Sequence, residues 1–372
     1  MLKKVAVLGL FLALVPSTAF SEWQLNLNRG VTDTSIAVYD LHMLVLYICV
    51  AISVVVFGVM FWSIYHHRKS KGFESHEFHD STALEILWTV VPTIILIVIL
   101  FPATKALINS YDTEESDIDI QVTGYQWKWR YKYIGEDLDF FSVLTTPTDE
   151  IRNTAEKNEN YLLEVDKPLV VPINKKIRFL LTSNDVIHAW WVPDLALKKD
   201  AIPGFINEDW TRINEVGIYR GQCAELCGKD HGFMPIVVKA VTQEDYVIWL
   251  AEQKALKEIE NAASQADWSM EALLVKGEEV YVKNCAACHQ VNGMGIPPVF
   301  PAIKDSPVAL GPIDLHLATV FEGRPGTAMA GFGEQLSSVD IAAVVTYQRN
   351  AWGNEVGDML SPTDVDKLKG GE

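Results

Sequence analysis

The stretch CAELCGKDHGFM places two thiols, an imidazole and a thioether within twelve residues, at Cys223, Cys227, His231 and Met234. A disulfide between the two cysteines would leave the histidine and the methionine unexplained. Structural zinc accepts thiolates and imidazoles but does not use a thioether, and a single copper needs only one of the two thiolates. Two copper ions that share both thiolates would use every member of the set, so the spacing favours a dinuclear copper centre.

A dinuclear centre of this kind needs a second imidazole, because each metal ion is completed by one imidazole and one weak ligand. His188 is the candidate, in the stretch SNDVIHAWWVP, where it follows a β-rich run in an apolar and aromatic setting. A lone histidine in such a setting is more often a core residue, but here the cluster of Cys223, Cys227, His231 and Met234 lacks one imidazole. Soft ligands in an oxidising compartment also favour copper over zinc.

A second redox motif lies in NCAACHQVNG, where Cys285, Cys288 and His289 form the C-x-x-C-H pattern. This pattern attaches haem c through two thioethers and supplies an axial histidine. A dithiol redox motif would need a thioredoxin-like setting, which the surrounding sequence lacks. Met329 in GTAMAGFG, ahead of the last predicted helix, is the expected second axial ligand. Histidine–methionine ligation raises the reduction potential, which suits a donor to copper.

The N-terminal part predicts a membrane anchor. Residues 1–21 read as a secretory signal peptide, with a basic start, an apolar core and a small-residue cleavage site after Ser21. Residues 22–108 predict a transmembrane hairpin with spans at about 41–65 and 85–107, each long enough to cross a bilayer. The lipid bilayer is therefore the first expected partner.

The loop between the two spans carries Arg68, Lys69 and Lys71. Basic loops stay in the cytoplasm, so everything after the second span is expected on the exported side. The net charge of −17 resides entirely in that exported part, since the first 108 residues are neutral. We therefore expect a bacterial inner-membrane protein with two spans and periplasmic domains, and we find no basic patch that would bind nucleic acid.

The exported part predicts two domains. Residues 109–241 contain short β-rich runs at sandwich-like spacing and predict an antiparallel β-sandwich. Residues 242–267 predict a helix and a linker, in which Thr242 and Asp245 occupy capping-box positions. Residues 268–355 predict a helical haem-binding domain, and residues 356–372 a polar, frayed tail.

The chain from about Thr34 to Val241 resembles subunit II of cytochrome c oxidase. The resemblance rests on the two-span hairpin and on GYQWKWRY, HAWWVP, KDAIPG and GQCAELCGKDHGFMPI. It implies a cupredoxin-like Greek-key sandwich and a dinuclear CuA centre. The family's CuA ligands fall on His188, Cys223, the backbone carbonyl of Glu225, Cys227, His231 and Met234. The resemblance also implies a Mg²⁺ site, shared with subunit I, at the Glu225 side chain.

Two further roles are implied by the resemblance. Trp127, the first tryptophan of YQWKW, resembles the family's electron-entry residue, although aromatic residues are common on sheet faces. Glu85 resembles the glutamate at the mouth of a proton-uptake path that continues in subunit I. From the residues alone, Thr82 and Glu85 form a capping box at the start of a helix.

Residues 268–355 resemble a class I cytochrome c, and a subunit II fused to such a domain is a known branch of the haem–copper oxidases. This implies an electron-entry subunit that takes electrons from cytochrome c or another respiratory complex through haem c to CuA. Subunit I would then reduce O₂ with proton pumping, and subunit III is a further expected partner. O₂ chemistry is not expected on this chain, because its spans carry no cluster of histidine ligands.

Two other functions fit part of the pattern. The entry subunit of a nitric oxide reductase-type complex would carry the same copper and haem sites, and the two-span hairpin discriminates poorly against it. A copper-delivery or copper-sensing membrane protein would need exposed, exchangeable ligands. The intact ligand set excludes a quinol-oxidase subunit, and the hairpin disfavours the soluble nitrous oxide reductase.

Overall fold

The computed structural model divides the chain into two compact units, with the boundary in the chain between Tyr246 and Val247. The residues that it describes are 26–74, 80–324, 327 and 329–370. The predicted signal peptide lies outside the described residues. Each unit has its own set of buried apolar side chains, so each can position a site of its own.

Two long apolar helices begin the first unit, α1 (Asp33–His66) and α2 (Thr82–Ser110). Both are long and apolar enough to cross a membrane, judged by length and composition. Helix α1 starts with a capping box. The Ser35 N–H donates to the Thr32 hydroxyl and the Thr32 N–H donates to the Ser35 hydroxyl, each at 2.9 Å.

Helix α2 begins differently from the prediction. Ser81 takes the N-cap position and its side chain makes no capping hydrogen bond, so the predicted box of Thr82 and Glu85 is wrong. Pro92 and Pro102 lie inside α2. Membrane helices tolerate internal proline where neighbouring groups satisfy the freed carbonyl.

A sandwich of two five-stranded sheets follows the helices. Its strands are β1 (Ile118–Tyr125), β2 (Lys128–Tyr133), β3 (Leu138–Ser142), β4 (Leu169–Pro172), β5 (Ile177–Ser183), β6 (His188–Val192), β7 (Leu197–Ala201), β8 (Asn207–Thr211), β9 (Gly217–Cys223) and β10 (Pro235–Val241). One sheet has the order β3-β2-β1-β5-β8 and the other β4-β10-β9-β6-β7. A short helix, α3 (Thr148–Ile151), lies between β3 and β4 in the chain.

The prediction of an antiparallel sandwich is wrong for two strand pairs. Strand β1 runs parallel to β5, from Ile118 opposite Ile177 to Gly124 opposite Ser183. Strand β4 runs parallel to β10. Parallel neighbours need a crossover connection rather than a tight turn. The β1–β5 pairing brings the end of β1 beside the segment that precedes β6, where the Asn184 N–H donates to the Gly124 carbonyl at 3.0 Å.

The core lies between the two sheets. Strand β5 alternates buried and half-buried residues along its length, the period expected of a strand with one buried face. Trp129, Trp190 and Phe179 are fully buried, and the Phe179 and Trp190 rings lie 5.0 Å apart. The Trp190 indole N–H donates to the Tyr131 hydroxyl at 3.2 Å, which satisfies a buried polar group.

The second unit is helical. A long helix, α4 (Gln243–Ser264), begins before the unit boundary, and the Asp245 N–H donates to the Thr242 hydroxyl at 3.1 Å as predicted. The helices that follow are α5 (Met270–Asn284), α6 (Ala286–His289), α7 (Pro307–Leu310), α8 (Ile313–Glu322), α9 (Ser338–Asn350) and α10 (Pro362–Gly370). Helix α4 extends into the stretch that we predicted as linker.

Helices α5 and α9 pack closely at the centre of this unit. A Cβ at Gly277 would collide with the Ala343 carbonyl, so only glycine allows this approach. The prediction of a frayed tail is wrong, because helix α10 forms there and Val365 is fully buried, together with Leu360 just before the helix. The tail therefore contributes to the core of the unit.

Candidate copper and haem sites

The candidate copper ligands lie at the ends of adjacent strands in one sheet. Strand β9 ends at Cys223, and the loop after it carries Cys227, His231 and Met234 before β10 begins. Strand β6 begins at His188 and pairs antiparallel with β9. Strand pairing therefore brings a histidine 35 residues away in sequence next to the first cysteine.

The two thiols and the first imidazole form a tight group. The Cys223 and Cys227 sulfurs lie 3.8 Å apart, and the Cys223 sulfur lies 3.9 Å from His188 Nδ1. All three ligand atoms lie within 4.8 Å of one another. A metal–thiolate bond is about 2.3 Å, so a single ion can contact both sulfurs at this separation. The sulfurs are too far apart for a disulfide, whose bond is about 2.05 Å.

The three remaining ligand candidates adjoin this group. His231 Nδ1 lies 3.4 Å and the Met234 sulfur 3.6 Å from the Cys227 sulfur. The Glu225 carbonyl oxygen lies 3.3 Å from the Cys223 sulfur. The structure thus brings all six predicted ligand atoms together, in a chemistry that suits a soft or borderline metal.

The protein around the thiols controls their protonation. Burial disfavours ionisation of Cys223, but contacts with His188 and the Glu225 backbone outweigh it and lower the pKa of the thiol to about 7. Burial raises the pKa of Cys227 to about 12, and the neighbouring Cys223 adds to the effect. Cys223 therefore ionises more readily than Cys227, and metal binding would require loss of the thiol protons.

A carboxylate and a two-residue turn hold the ligands in place. Asp185 Oδ1 accepts from His188 Nε2 at 2.8 Å, and Asp185 Oδ2 accepts from the Gln126 backbone N–H at 2.7 Å. The Gln126 side-chain amide and the Trp127 indole N–H both donate to the Cys227 carbonyl, at 2.8 and 3.2 Å. The β1–β2 turn thus contacts the loop between β9 and β10, residues 224–234, which we call the copper loop. Through Asp185 the turn is also connected to His188 in strand β6.

Asp185 also affects the protonation and the orientation of His188. Burial disfavours the charged form of His188, but the Asp185 carboxylate and the Cys223 sulfur outweigh it and raise the pKa of the imidazole to about 9. The hydrogen bond from Nε2 to Asp185 leaves Nδ1 directed at Cys223. Outer carboxylates of this kind commonly orient metal-binding histidines. Sequence analysis missed Asp185 and Gln126; their positions next to HAWWVP and before WKW were the available signals.

The other predicted residues of the first unit lie in different places. Trp127 is half-buried in the β1–β2 turn, in contact with the copper loop. The Glu225 side chain is exposed. Glu85 lies in the first turn of α2, whereas the other end of that helix leads to the sandwich. At about 1.5 Å of rise per residue, the length of α2 separates Glu85 from the sandwich end by roughly 36 Å, so the structure does not bring it to the copper loop.

The haem-binding candidates share one cavity in the second unit. This cavity has a volume of about 480 Å³ and is lined by Cys285, Cys288, His289 and Met329 among largely apolar neighbours. Helix α6 carries the second cysteine and the histidine. The His289 Nδ1–H donates to the Pro301 carbonyl at 2.9 Å. This hydrogen bond leaves Nε2 available to a metal, the usual arrangement of an axial histidine.

The cavity wall includes two polar residues that sequence analysis did not identify. His316 Nε2 and Gln348 Oε1 lie 2.8 Å apart in the buried wall. The Gln348 amide approaches the Cys285 sulfur at 3.9 Å. Burial lowers the pKa of His316 to about 4, so this imidazole is neutral at physiological pH. An apolar cavity that contains the Cys285 and Cys288 thiols, the available Nε2 of His289 and the Met329 thioether fits a covalently attached haem.

These features together define a membrane protein with a globular sandwich and a helical cytochrome-like unit, and comparison with known proteins identifies its family. Residues 20–106 match the transmembrane domain of cytochrome c oxidase subunit II, and residues 118–241 match its periplasmic domain. Residues 272–347 match the family of subunit III of cbb3-type cytochrome c oxidase. The matched families imply copper and haem c.

Relatives extend over most of the anchor and the sandwich. A Rickettsia felis protein described as a probable cytochrome c oxidase subunit 2 is 37% identical over 67% of this chain and 79% of its own length. Cytochrome c oxidase subunit 2 of Metridium senile is 40% identical over 61% of this chain and 89% of its own length. A crystal structure of the periplasmic domain of subunit II from Bradyrhizobium japonicum is 40% identical, covers 38% of this chain and 97% of that domain, and has a TM-score of 0.34.

The chain belongs to the cytochrome c oxidase subunit II family, whose members are subunits of an oxidoreductase. The predicted resemblance and the predicted fold class, an anchor hairpin with a cupredoxin-like sandwich and a helical cytochrome c domain, are confirmed.

Proposed function

We propose that this chain is the electron-entry subunit of a haem–copper terminal oxidase. In this role it receives electrons from an external donor at haem c, transfers them to a dinuclear CuA centre and delivers them to subunit I, where O₂ reduction is coupled to proton pumping. The observation that carries the proposal is the convergence of six ligand atoms around the Cys223 and Cys227 sulfurs, 3.8 Å apart, in a chain that also has a C-x-x-C-H cavity.

The copper-binding residues have distinct tasks in this proposal. Cys223 and Cys227 would bridge two copper ions, His188 and His231 would each complete one ion, and Met234 and the Glu225 carbonyl would be the weak ligands. The bound pair would accept and release one electron. The strand ends and the hydrogen bonds from the β1–β2 turn hold the ligands in one arrangement, so little would have to move when the charge changes.

The shared cavity supports the haem-binding residues that the C-x-x-C-H motif predicts. Cys285 and Cys288 would form the two thioether bonds, His289 Nε2 would be one axial ligand and Met329 the other. Bound haem would supply a second one-electron carrier. The Pro301 carbonyl fixes the orientation of the histidine ring, and the apolar wall excludes water, which together with methionine ligation favours a raised potential.

The remaining assignments follow the family. Trp127 is proposed as the point of electron entry, supported by its half-buried position and its contact with the Cys227 carbonyl. Glu225 is proposed to hold Mg²⁺ through its exposed side chain, and Glu85 to open a proton path. The expected partners are subunits I and III and a donor such as cytochrome c or another respiratory complex, in a bacterial inner membrane with both units on the periplasmic side.

The burial of the thiols argues against a copper-delivery or copper-sensing role. Cys223 and Cys227 are only 4% and 3% exposed, whereas copper exchange needs accessible ligands. A nitric oxide reductase-type partner would use the same copper and haem sites, so the acceptor is the part of the proposal that needs its own test.

The first experiment measures the metals of the full-length chain after export, haem maturation and copper loading. We expect two coppers per haem and an EPR spectrum whose hyperfine structure shows one electron shared by two copper nuclei. One copper, or zinc, would refute the dinuclear centre. In the assembled complex, O₂ consumption from a reduced cytochrome would support the oxidase assignment, and turnover with nitric oxide alone would replace it.

A further inference from the structure

A polar cavity lies where the two apolar helices join the sandwich. It has a volume of about 260 Å³. Its lining comes from the start of α1 (Asp33), the end of α2 (Asn109), Trp210 in strand β8, and Lys176 and Arg212, which lie just before β5 and just after β8. The copper and haem sites use none of these residues, so the cavity needs another explanation.

Direct hydrogen bonds fix the joint around this cavity. The Trp210 indole N–H donates to the Asn109 carbonyl at 3.0 Å and ties the end of α2 to strand β8. The Asn214 amide donates to the Asp33 carboxylate at 2.9 Å, and the Thr32 hydroxyl donates to the Leu195 carbonyl at 3.1 Å. The cavity is therefore a feature of a connected structure rather than a gap between independent parts.

Two cations face the cavity among two carboxylates. Lys176 is only 8% exposed; its ammonium donates to the Glu114 carbonyl at 2.6 Å and lies 3.4 Å from the Asp112 carboxylate and 4.8 Å from the centre of the Trp210 ring. Arg212 lies 3.4 Å from the Asp33 carboxylate and is 42% exposed, so this pair is long and accessible. Burying a lysine is costly unless its charge is compensated, and the present partners leave hydrogen-bonding capacity on Arg212.

A shallow, open apolar groove, formed by residues of helix α2 alone, continues from this cavity. The groove is lined by Leu100, Phe101, Thr104, Lys105, Ile108 and Asn109, and the last of these also lines the polar cavity. The apolar members are exposed, with Phe101 at 71% and Ile108 at 64%. Lys105 adds a third cation one helical turn before Asn109, so the residues that line the two features include three cations and two carboxylates.

We propose that the cavity and the groove together form a phospholipid-binding site, with the lipid phosphodiester held by Arg212 and Lys176 and one acyl chain lying along α2. The excess of cations favours a lipid with a net negative charge. The position suits this ligand, because the cavity lies at the end of membrane helix α2, where the headgroup layer is expected and where tryptophan side chains such as that of Trp210 are enriched.

The test measures phospholipid binding to the full-length chain, purified in detergent and stripped of lipid. Native mass spectrometry during titration with phosphatidylglycerol, phosphatidylethanolamine or phosphatidylcholine gives the occupancy of each. We expect one retained phosphatidylglycerol per chain. Each exposed cation removed should weaken its binding about fivefold, so Arg212→Gln loses about fivefold and Arg212→Gln combined with Lys105→Gln about 25-fold. Arg212→Lys should keep most of the affinity.

Lys239→Gln is the matched control, because it removes one exposed cation from strand β10, outside the cavity and the groove. Phe101→Ala should weaken the diacyl lipid without removing a charge. Equal losses in Lys239→Gln and Arg212→Gln, or no loss in the double variant, would overturn the proposal. Displacement of the lipid by millimolar inorganic phosphate would reduce the site to an anion site. Absence of the lipid from the assembled complex would assign the surface to another subunit.

Discussion

Substituting Asp185 by asparagine tests how the copper loop is held, because this carboxylate uses both oxygens. Oδ1 accepts from His188 Nε2 at 2.8 Å and from the Val186 N–H at 2.7 Å, and Oδ2 accepts from the Gln126 N–H at 2.7 Å. Asparagine has one acceptor oxygen, so its amide must face at least one of these donors. The variant therefore loses a charged hydrogen bond and places the NH₂ group of the asparagine against another hydrogen-bond donor.

The expected loss of copper affinity can be estimated because Asp185 does not bind the metal itself but hydrogen-bonds to the proposed ligand His188. Loss of such a partner costs about 10- to 100-fold in metal affinity, equivalent to about 1.4–2.7 kcal/mol. We expect Asp185→Asn to lose copper to a competing chelator at a correspondingly lower chelator concentration. The copper EPR hyperfine pattern should also change, because His188 would no longer be fixed relative to Cys223.

The assay is a chelator titration of the copper-loaded full-length chain, followed by EPR and by copper content per haem. Glu159→Gln provides the control, since it removes an exposed carboxylate that lies outside the copper loop. Affinity within twofold of the parent chain, with an unchanged EPR spectrum, would refute the positioning role of Asp185. An equal loss in the control would reduce the effect to net charge.

Three further outcomes are expected. Cys227→Ser should reduce the copper content from two ions to one or none, with the haem content unchanged; two retained coppers would contradict the bridging assignment. Met329→Leu should lower the reduction potential of haem c and open the iron to added ligands, which potentiometry and visible spectra would detect. Asp358→Asn should destabilise the second unit by about 2 kcal/mol in thermal unfolding, because the buried Arg349 loses its bidentate partner, whereas the exposed Asp267→Asn should not. Arg349 holds the pKa of Asp358 below its ordinary value, so the carboxylate stabilises the unit above about pH 4 and loses this effect as the pH falls further. An Asp358→Asn variant whose acid unfolding matches that of the parent chain would contradict this pairing.

Sequence analysis identified the copper-ligand candidates because most of them are local in the chain. Cys223, Cys227, His231 and Met234 lie in one loop, and soft ligands at close spacing restrict the metals that could bind. His188 was identified only because the loop lacked an imidazole. The Glu225 carbonyl has no side-chain signature and was assigned from family resemblance alone.

The supporting contacts could not be predicted in the same way. Gln126 meets the Cys227 carbonyl because β1 pairs in parallel with β5, which places the β1–β2 turn beside the segment around Asp185. Strand spacing suggested antiparallel pairing and gave no information on this register. The polar C-terminal sequence likewise concealed Val365, whose buried side chain packs helix α10 into the second unit.

The β1–β2 turn connects electron entry to copper geometry. The Gln126 amide and the Trp127 indole both donate to the Cys227 carbonyl, so any movement of the turn would also move Cys227, a proposed copper ligand. A tryptophan that only offered an aromatic surface to an electron donor would not need a hydrogen bond to the Cys227 carbonyl. The hydrogen bonds make the proposed entry residue part of the frame that positions the proposed copper ligands, so substitutions in the turn are expected to change the copper site as well as the rate of electron entry.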